Sequence, residues 1–163
     1  MTSSDRISVS TIVEVSPSVA FTVFTDEIDS WWGRGPRFRW LPDLPGKLRF
    51  EGERGGRLVE VTDDDTGDGF EVGRILTWEP GKQLVFEFRA LDFEPEQCTQ
   101  VEVRFEAVPA GTRVSIEHRG WNSLPADHPA RHGLEGPAFE GMMGTWWGDL
   151  VVALRRRASR TAV

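Results

Sequence analysis

The segment from Gly69 to Gly120 constrains the fold of this chain most strongly, because it reads as four consecutive antiparallel strands. In its last two strands, apolar residues alternate with charged ones. That period is typical of a sheet with one buried and one solvated face. Strand parity assigns the buried face of these two strands to Val101, Val103, Phe105, Val114, Ile116 and His118.

The rest of the chain supplies three further strands and two short helices. An alternating strand is predicted over Ile7–Val15. Ser16-Pro17 then starts a helix, since Ser is a favoured N-cap and Pro a favoured first residue. A second short helix is predicted over Asp26–Trp32, and proline-rich loops over 33–46 and 122–136. The six later strands are predicted at Lys47–Glu53, Arg57–Thr62, Phe70–Trp78, Gln83–Ala90, Thr99–Val108 and Thr112–Trp121.

A long amphipathic helix is predicted from Pro137 to about Ala158. Its apolar stripe comprises Phe139, Met143, Trp146, Leu150 and Leu154, flanked by Met142 and Trp147. Three glycines, Gly141, Gly144 and Gly148, fall on the opposite face. Close approach of a second subunit would explain them, and so would simple tolerance. A homodimer is therefore one possibility.

Length and charge restrict the class of protein. The 163 residues suit a single domain, 1–163. A net charge of −7 argues against a nucleic-acid partner, which normally requires a basic face. One cysteine permits no intrachain disulfide, and neither a signal peptide nor a membrane span is visible in the sequence. We therefore expect a cytoplasmic protein.

Short motifs distributed along the whole chain resemble one family. They are Ser16-Pro17 followed by Trp31-Trp32, then Gly55-Gly56-Arg57, the run GRILTWEP over 73–80 leading to Leu84-Val85-Phe86, and Gly111-Thr112-Arg113-Val114 leading to His118 and Gly120. In this order they are similar to the START/Bet v 1-like (SRPBCC) superfamily, and within it to the group related to the C-terminal domain of the Hsp90 ATPase activator Aha1. The match loosens at Gly144–Leu150, where family members often carry Gly-Trp and a Leu-rich helix.

The resemblance implies an α+β helix-grip fold, in which a curved antiparallel sheet of about seven strands wraps around the long C-terminal helix. Members of the superfamily bind hydrophobic small molecules between sheet and helix, bind protein partners, or act as cyclases, aromatases or hydrolases. We expect binding of a hydrophobic or aromatic small molecule. The alternatives are a cavity enzyme using His118 and an interaction module for an Hsp90-type chaperone. The family has no universal catalytic residue to transfer.

The cavity of such a fold would be lined mainly by carbon. The candidate lining residues are His118, Arg74, Trp32, Trp78, Phe86, Phe88, Val103, Phe105, Ile116, Met143, Trp146 and Trp147. His118 could orient a ligand or exchange a proton near neutral pH, or it could be a hydrogen-bonded core histidine. Arg74 could bind a carboxylate if its face is inward. If Ile75 points inward instead, Arg74 is a surface residue.

Other catalytic and cofactor signatures are not found in the sequence. His128 and His132 are four apart but separated by Pro129, without the Glu of a metalloprotease motif. The acidic run 63–65 lacks the glutamate that would complete a calcium loop, and it reads as a hairpin turn. No nucleophilic-serine or phosphate-loop motif occurs. Cys98 lies near acidic residues that would raise its pKa, so we expect it to be inert. No metal or cofactor is predicted.

Overall fold

The computed structural model describes residues 6–33, 38–41, 46–89, 93–94, 96–125, 127–129, 133–134 and 136–161. The strands in this part of the chain are β1 Arg6–Val13, β2 Lys47–Glu51, β3 Arg57–Asp63, β4 Asp68–Glu79, β5 Gln83–Phe88, β6 Thr99–Val108 and β7 Gly111–Arg119. The helices are α1 Pro17–Thr25, α2 Ile28–Trp31 and α3 Gly136–Thr161, with a 3-10 turn at Trp121–Ser123. Pro36, Pro42, Pro45 and His132, which entered the sequence predictions, lie outside the described residues.

The seven described strands form one antiparallel sheet in the order β1-β7-β6-β5-β4-β3-β2. The strands adjacent in sequence from β2 to β7 are also adjacent in the sheet. β1 instead joins the far edge, beside β7, because α1 and α2 carry the chain across the inner face. The long helix α3 packs against β1, α1 and α2. This is the predicted helix-grip arrangement, with the core between the sheet and α3.

Local sequence explains where the first helix begins. The Ser16 hydroxyl accepts a hydrogen bond from the Val19 N–H, and Pro17 occupies the first turn. Such a cap satisfies one of the amide groups that a helix start leaves without a partner. The next helix is shorter than predicted: α2 covers Ile28–Trp31, since Trp32 already has an extended backbone.

The buried stripe of α3 differs from the predicted one by one position. Trp147 is fully buried, whereas Trp146 is only partly buried. The buried stripe therefore runs from Met143 to Trp147, four residues later, and then to Leu150, three residues later. Trp146 lies at the edge of this stripe. Both choices satisfy helical spacing, so periodicity did not separate the two adjacent tryptophans. The buried residues of α3 are Phe139, Met143, Trp147, Leu150, Val151, Leu154 and Ala158.

Strand β4 contains two irregularities that change which residues face the core. Its pairing with β3 shifts between Leu58 and Val59, and its pairing with β5 shifts between Ile75 and Thr77. Each bulge inserts one residue and reverses the alternation beyond it. As a result Ile75 is buried and Arg74 is exposed. The inward orientation of Arg74, one of the two open alternatives, was therefore wrong.

Candidate ligand site between the sheet and the long helix

Six aromatic side chains pack together where the first half of α3 faces the loop after α2. We call them the Trp cluster: Trp32, Phe38, Trp40, Phe88, Trp146 and Trp147. The Trp32 ring centroid is 5.7 Å from that of Trp146, 5.7 Å from that of Trp147 and 5.9 Å from that of Trp40. Edge-to-face and offset arrangements at such distances are the preferred ones for aromatic rings.

Two members of the Trp cluster reach the surface. Phe38 and Trp146 are only partly buried, and their rings stack with centroids 5.8 Å apart and an interplanar angle of 24°. Met142, one helical turn before Trp146, is also partly buried. Below this rim, Trp32 and Trp147 are almost completely buried. Solvent can thus reach the stacked rings of Phe38 and Trp146, and the buried rings of Trp32 and Trp147 lie beneath them.

A buried carboxylate holds the loop that carries Trp40 by hydrogen bonds. Glu60 of β3 is fully buried and accepts hydrogen bonds from the backbone N–H groups of Trp40, at 2.7 Å, and Gly46, at 3.0 Å. In the same loop, buried Arg39 forms an ion pair with Asp29 at 2.7 Å. Ionic hydrogen bonds of this kind are roughly twice as strong as neutral ones. They position Trp40 against Trp32 and Phe88.

His118 projects from β7 into the interior beneath the Trp cluster and is fully buried. Its Nδ1 accepts a hydrogen bond from Trp147 Nε1 at 3.1 Å, and its Nε2 lies 2.7 Å from Thr99 Oγ1. The acceptor role of Nδ1 puts the ring proton on Nε2, which donates to the Thr99 hydroxyl. That hydroxyl donates to the Phe88 carbonyl oxygen at 3.1 Å. The chain of bonds therefore links α3 to β7, β6 and β5.

This environment makes His118 a neutral side chain at physiological pH. Complete burial lowers the pKa of His118 from its ordinary value of 6.5 to about 3, because the imidazolium would lose its hydration. A general acid or base works best when its pKa lies near the operating pH. With both nitrogens engaged inside the protein, His118 has the geometry of a hydrogen-bonded core histidine.

The predicted lining residues are divided between two aromatic groups. Trp78, Phe86 and Phe105 belong to a second group near α1, which also contains Phe21, Phe24 and Phe50. Val103 and Ile116, which pair across β6 and β7, are buried in the sheet face with Leu84, the β5 partner of Val103. The Trp cluster and its surroundings retain Trp32, Phe88, His118, Met143, Trp146 and Trp147. Trp31 connects the two groups, since its ring centroid lies 5.0 Å from that of Phe24 and 5.5 Å from that of Trp32.

Sequence reasoning missed several aromatic residues of the site. Phe38 and Trp40 lie in the segment that was predicted only as an irregular loop. Trp121 and Phe139 approach each other with ring centroids 5.0 Å apart, and Trp121 lies 4.6 Å from the His118 ring. The sequence did contain a signal for this loop. Large aromatic side chains are mostly buried in folded proteins, so Phe38 and Trp40 in the loop predict that part of it packs against the core.

The acidic run and Cys98 lie outside this site, and their contacts have structural explanations. The acidic run joins β3 to β4 as predicted: the Asp63 carboxylate accepts hydrogen bonds from the N–H groups of Asp65 and Thr66. Burial, followed by the charge of Glu87, raises the pKa of the Cys98 thiol. Among the described residues, no group of three or more His, Cys, Asp or Glu side chains could hold a metal ion. No described helix is both long and apolar enough to cross a bilayer.

Several solved structures have the same fold as this chain. Solved structures with the same fold include protein MLL2253 of Mesorhizobium loti (TM-score 0.63, 19% identity, covering 96% of this chain and 98% of that one). The Aha1 dimer of Colwellia psychrerythraea has a TM-score of 0.61 at 17% identity, covering 92% of each chain. The AHSA1-like protein of Aeromonas hydrophila has a TM-score of 0.60 at 17% identity, covering 96% of this chain and 94% of its own.

Sequence comparison gives the family. No curated protein matches the chain in sequence. The family model described as "Activator of Hsp90 ATPase homolog 1-like protein" matches residues 14–151, which span every described element from α1 to β7 and more than half of α3. The motifs quoted from the sequence lie within that range. The chain belongs to the family of activator of Hsp90 ATPase homolog 1-like proteins.

Proposed function

We propose that this protein binds a flat hydrophobic or aromatic small molecule at the Trp cluster, between the sheet and α3. The observation that carries the proposal is the partly exposed Phe38–Trp146 stack above the buried rings of Trp32 and Trp147. A flat ligand could replace one partner of that stack and keep the same ring-on-ring contact. Pockets for small molecules are usually lined by such apolar and aromatic surfaces with few polar groups.

The polar groups around the cluster support a ligand of low polarity. Trp32 Nε1 donates to the Phe38 carbonyl oxygen at 2.9 Å, and Trp40 Nε1 donates to the Arg89 carbonyl oxygen at 2.8 Å. Trp147 Nε1 is bound to His118. Since these indole N–H groups already have protein acceptors, a polar ligand would have to break such a bond, and each break leaves a costly buried group. An apolar ligand needs no such exchange.

The test uses an uncharged naphthalene derivative, N-phenyl-1-naphthylamine, whose fluorescence reports transfer to an apolar site. We expect saturable binding to the native protein and about a fivefold increase in Kd for Trp146→Ala, since a stacked ring contributes about 1 kcal/mol. Trp78→Ala is the matched control, because Trp78 is also partly buried but belongs to the other aromatic group. Absence of saturable binding, or an equal effect of both substitutions, would refute the proposal.

The family description supports a second candidate, a protein partner of the Hsp90 class. The family model matches residues 14–151, which is most of the chain, so a family surface that contacts such a partner would fall within this fold. The test is stimulation of an Hsp90-type ATPase by this protein, with heat-unfolded protein as the control. Unchanged ATPase activity at saturating protein would remove this candidate without affecting the ligand proposal.

A further inference from the structure

We propose that the phenyl ring of Phe38 is an internal competitor of the ligand: it occupies the place of one aromatic ring beside Trp146, and the ligand binds by displacing it. This inference rests on the function proposed above and assigns one residue its part in it. The Phe38–Trp146 stack has two partners, and a flat ligand could replace either. The surroundings of the two rings differ, and that difference identifies Phe38 as the ring that leaves.

The indole ring of Trp146 is held on several sides. It belongs to α3, and its centroid lies 5.7 Å from that of Trp32, 6.1 Å from that of Phe88 and 5.1 Å from that of Trp147, each in an edge-to-face arrangement. Trp32 and Trp147 are almost completely buried. Rotation of Trp146 would break three aromatic contacts at once, and each such contact is stabilising beyond the area it buries. Trp146 therefore stays in place when a ligand binds.

The phenyl ring of Phe38 lies against a glycine. A Cβ atom placed on Gly33 would come within 2.4 Å of Phe38 Cδ2 and 2.6 Å of Phe38 Cγ, so any larger residue at position 33 would require the ring to move. The same ring stacks on Trp146, with the centroids 5.8 Å apart and the planes at 24°. Gly33 and Trp146 thus border a space that one flat ring fills, and in this structure the ring is the protein's own.

Hydrogen bonds fix the backbone on both sides of this space. Trp32 Nε1 donates to the Phe38 carbonyl oxygen at 2.9 Å. The buried Arg39 side chain donates to the carbonyl oxygens of Gly33, at 2.9 Å, and Trp32, at 3.1 Å, and forms its ion pair with Asp29. A side chain near the surface changes rotamer in picoseconds to nanoseconds, faster than a loop moves. Displacement of Phe38 therefore needs only rotation of its side chain, with the backbone in place.

The same space narrows the class of ligand. A planar aryl ring fits where the phenyl ring of Phe38 lies, whereas a saturated ring is thicker and loses the stack with Trp146. The carbonyl oxygens of Gly33 and Phe38 already accept hydrogen bonds from Arg39 and Trp32, so the aryl ring needs no polar substituent there. Binding requires molecules in which Phe38 has rotated away, and the apparent affinity is proportional to their fraction.

The first test is a titration with N-phenyl-1-naphthylamine. Phe38→Ala removes the competitor and should lower the Kd about fivefold, because the stack that the ligand otherwise has to break is worth about 1 kcal/mol. Trp146→Ala removes the stacking surface of both ligand and competitor, so its increase in Kd should grow from about fivefold in the native protein to about 25-fold in the Phe38→Ala background. Phe50→Ala is the matched control and should leave the Kd unchanged, since Phe50 is also partly buried but belongs to the other aromatic group. An unchanged or higher Kd for Phe38→Ala would overturn the proposal.

Two further measurements locate the ligand. In the Phe38→Ala background, Gly33→Ala should raise the Kd, because its methyl group lies where the phenyl ring was, whereas Gly141→Ala, whose Cβ meets no atom within 4 Å, should not. In protein labelled with 4-fluorophenylalanine, the ¹⁹F signal that Phe38→Ala removes belongs to Phe38, and saturating probe should move it toward the position of a solvent-exposed ring. Saturable binding with that signal unmoved would overturn this inference and leave the proposed function intact. Absence of saturable binding would overturn both.

Discussion

His118 predicts a specific dependence of stability on pH. The folded state holds this imidazole neutral, with its pKa lowered by burial from 6.5 to about 3, while the unfolded chain protonates it at the ordinary value. As the pH falls below 6.5, the unfolded state takes up the proton first. The stability associated with neutral His118 is therefore fully present above about pH 6.5 and is lost progressively toward about pH 3.

The magnitude follows from the proton linkage. One pKa unit corresponds to about 1.4 kcal/mol, so lowering the pH from about 7.5 to about 5 should cost about 2 kcal/mol through His118. Carboxyl groups with lowered pKa values, such as those of Glu51 and Glu102, contribute mainly at lower pH because their ordinary value is 4.5. The interval between pH 7.5 and pH 5 is therefore dominated by histidine.

The assay is guanidinium denaturation followed by tryptophan fluorescence at several pH values, for the native protein and for His118→Gln. The other two histidines are present in both proteins, so the difference in slope reports His118. Thr99→Val is a second variant: it removes the partner of Nε2 but leaves the imidazole buried, so it should reduce stability by about 1–3 kcal/mol and keep the pH dependence. Equal pH slopes for the native protein and His118→Gln would refute the assignment of a buried neutral imidazole.

Three other substitutions test the loop anchor and two glycines. Glu60→Gln replaces one of the two carboxylate acceptors with an amide donor, so it should cost about 2 kcal/mol in denaturation and increase proteolysis near Trp40. Gly73→Ala should destabilise the fold by about 2–4 kcal/mol, because its Cβ would lie 1.8 Å from a backbone oxygen of β5. Gly141→Ala meets no atom within 4 Å and should raise stability by about 1 kcal/mol, measured as a higher Tm. A stabilised Gly73→Ala or an unchanged Glu60→Gln would contradict these assignments.

The strands were predictable where alternation is regular. β6 is observed at Thr99–Val108, the predicted bounds, and β7 differs from its prediction only at the ends. In both strands the side chains toward the core are apolar, threonine or His118, and those away from it are mostly charged, so the period of two is unambiguous. The C-terminal helix was predicted for the same reason, although it extends to Thr161.

The irregular strand β4 was not predictable in the same way. Its two bulges place Val72 and Ile75 in the core although they are three residues apart. Alternation cannot show where an extra residue is inserted, because the bulge depends on how the neighbouring strands pair. The sequence left open both orientations of Arg74 for this reason, and the strand register resolves it.

Local sequence was sufficient for the order of elements, the inward face of the regular strands, the apolar stripe of α3 apart from the choice between Trp146 and Trp147, and the family. These depend on residue spacing within a single element, which hydrophobic period and capping chemistry specify directly. The character of the candidate site required the folded chain. His118 becomes a neutral core histidine only when Trp147 and Thr99 come within hydrogen-bond distance of its two nitrogens, 29 and 19 residues away along the chain. Trp40 is held in the cluster by the carboxylate of Glu60, 20 residues further on, and by the carbonyl oxygen of Arg89, 49 residues further on. Such long-range contacts set burial and desolvation, and those in turn determine pKa and the surface left for a ligand.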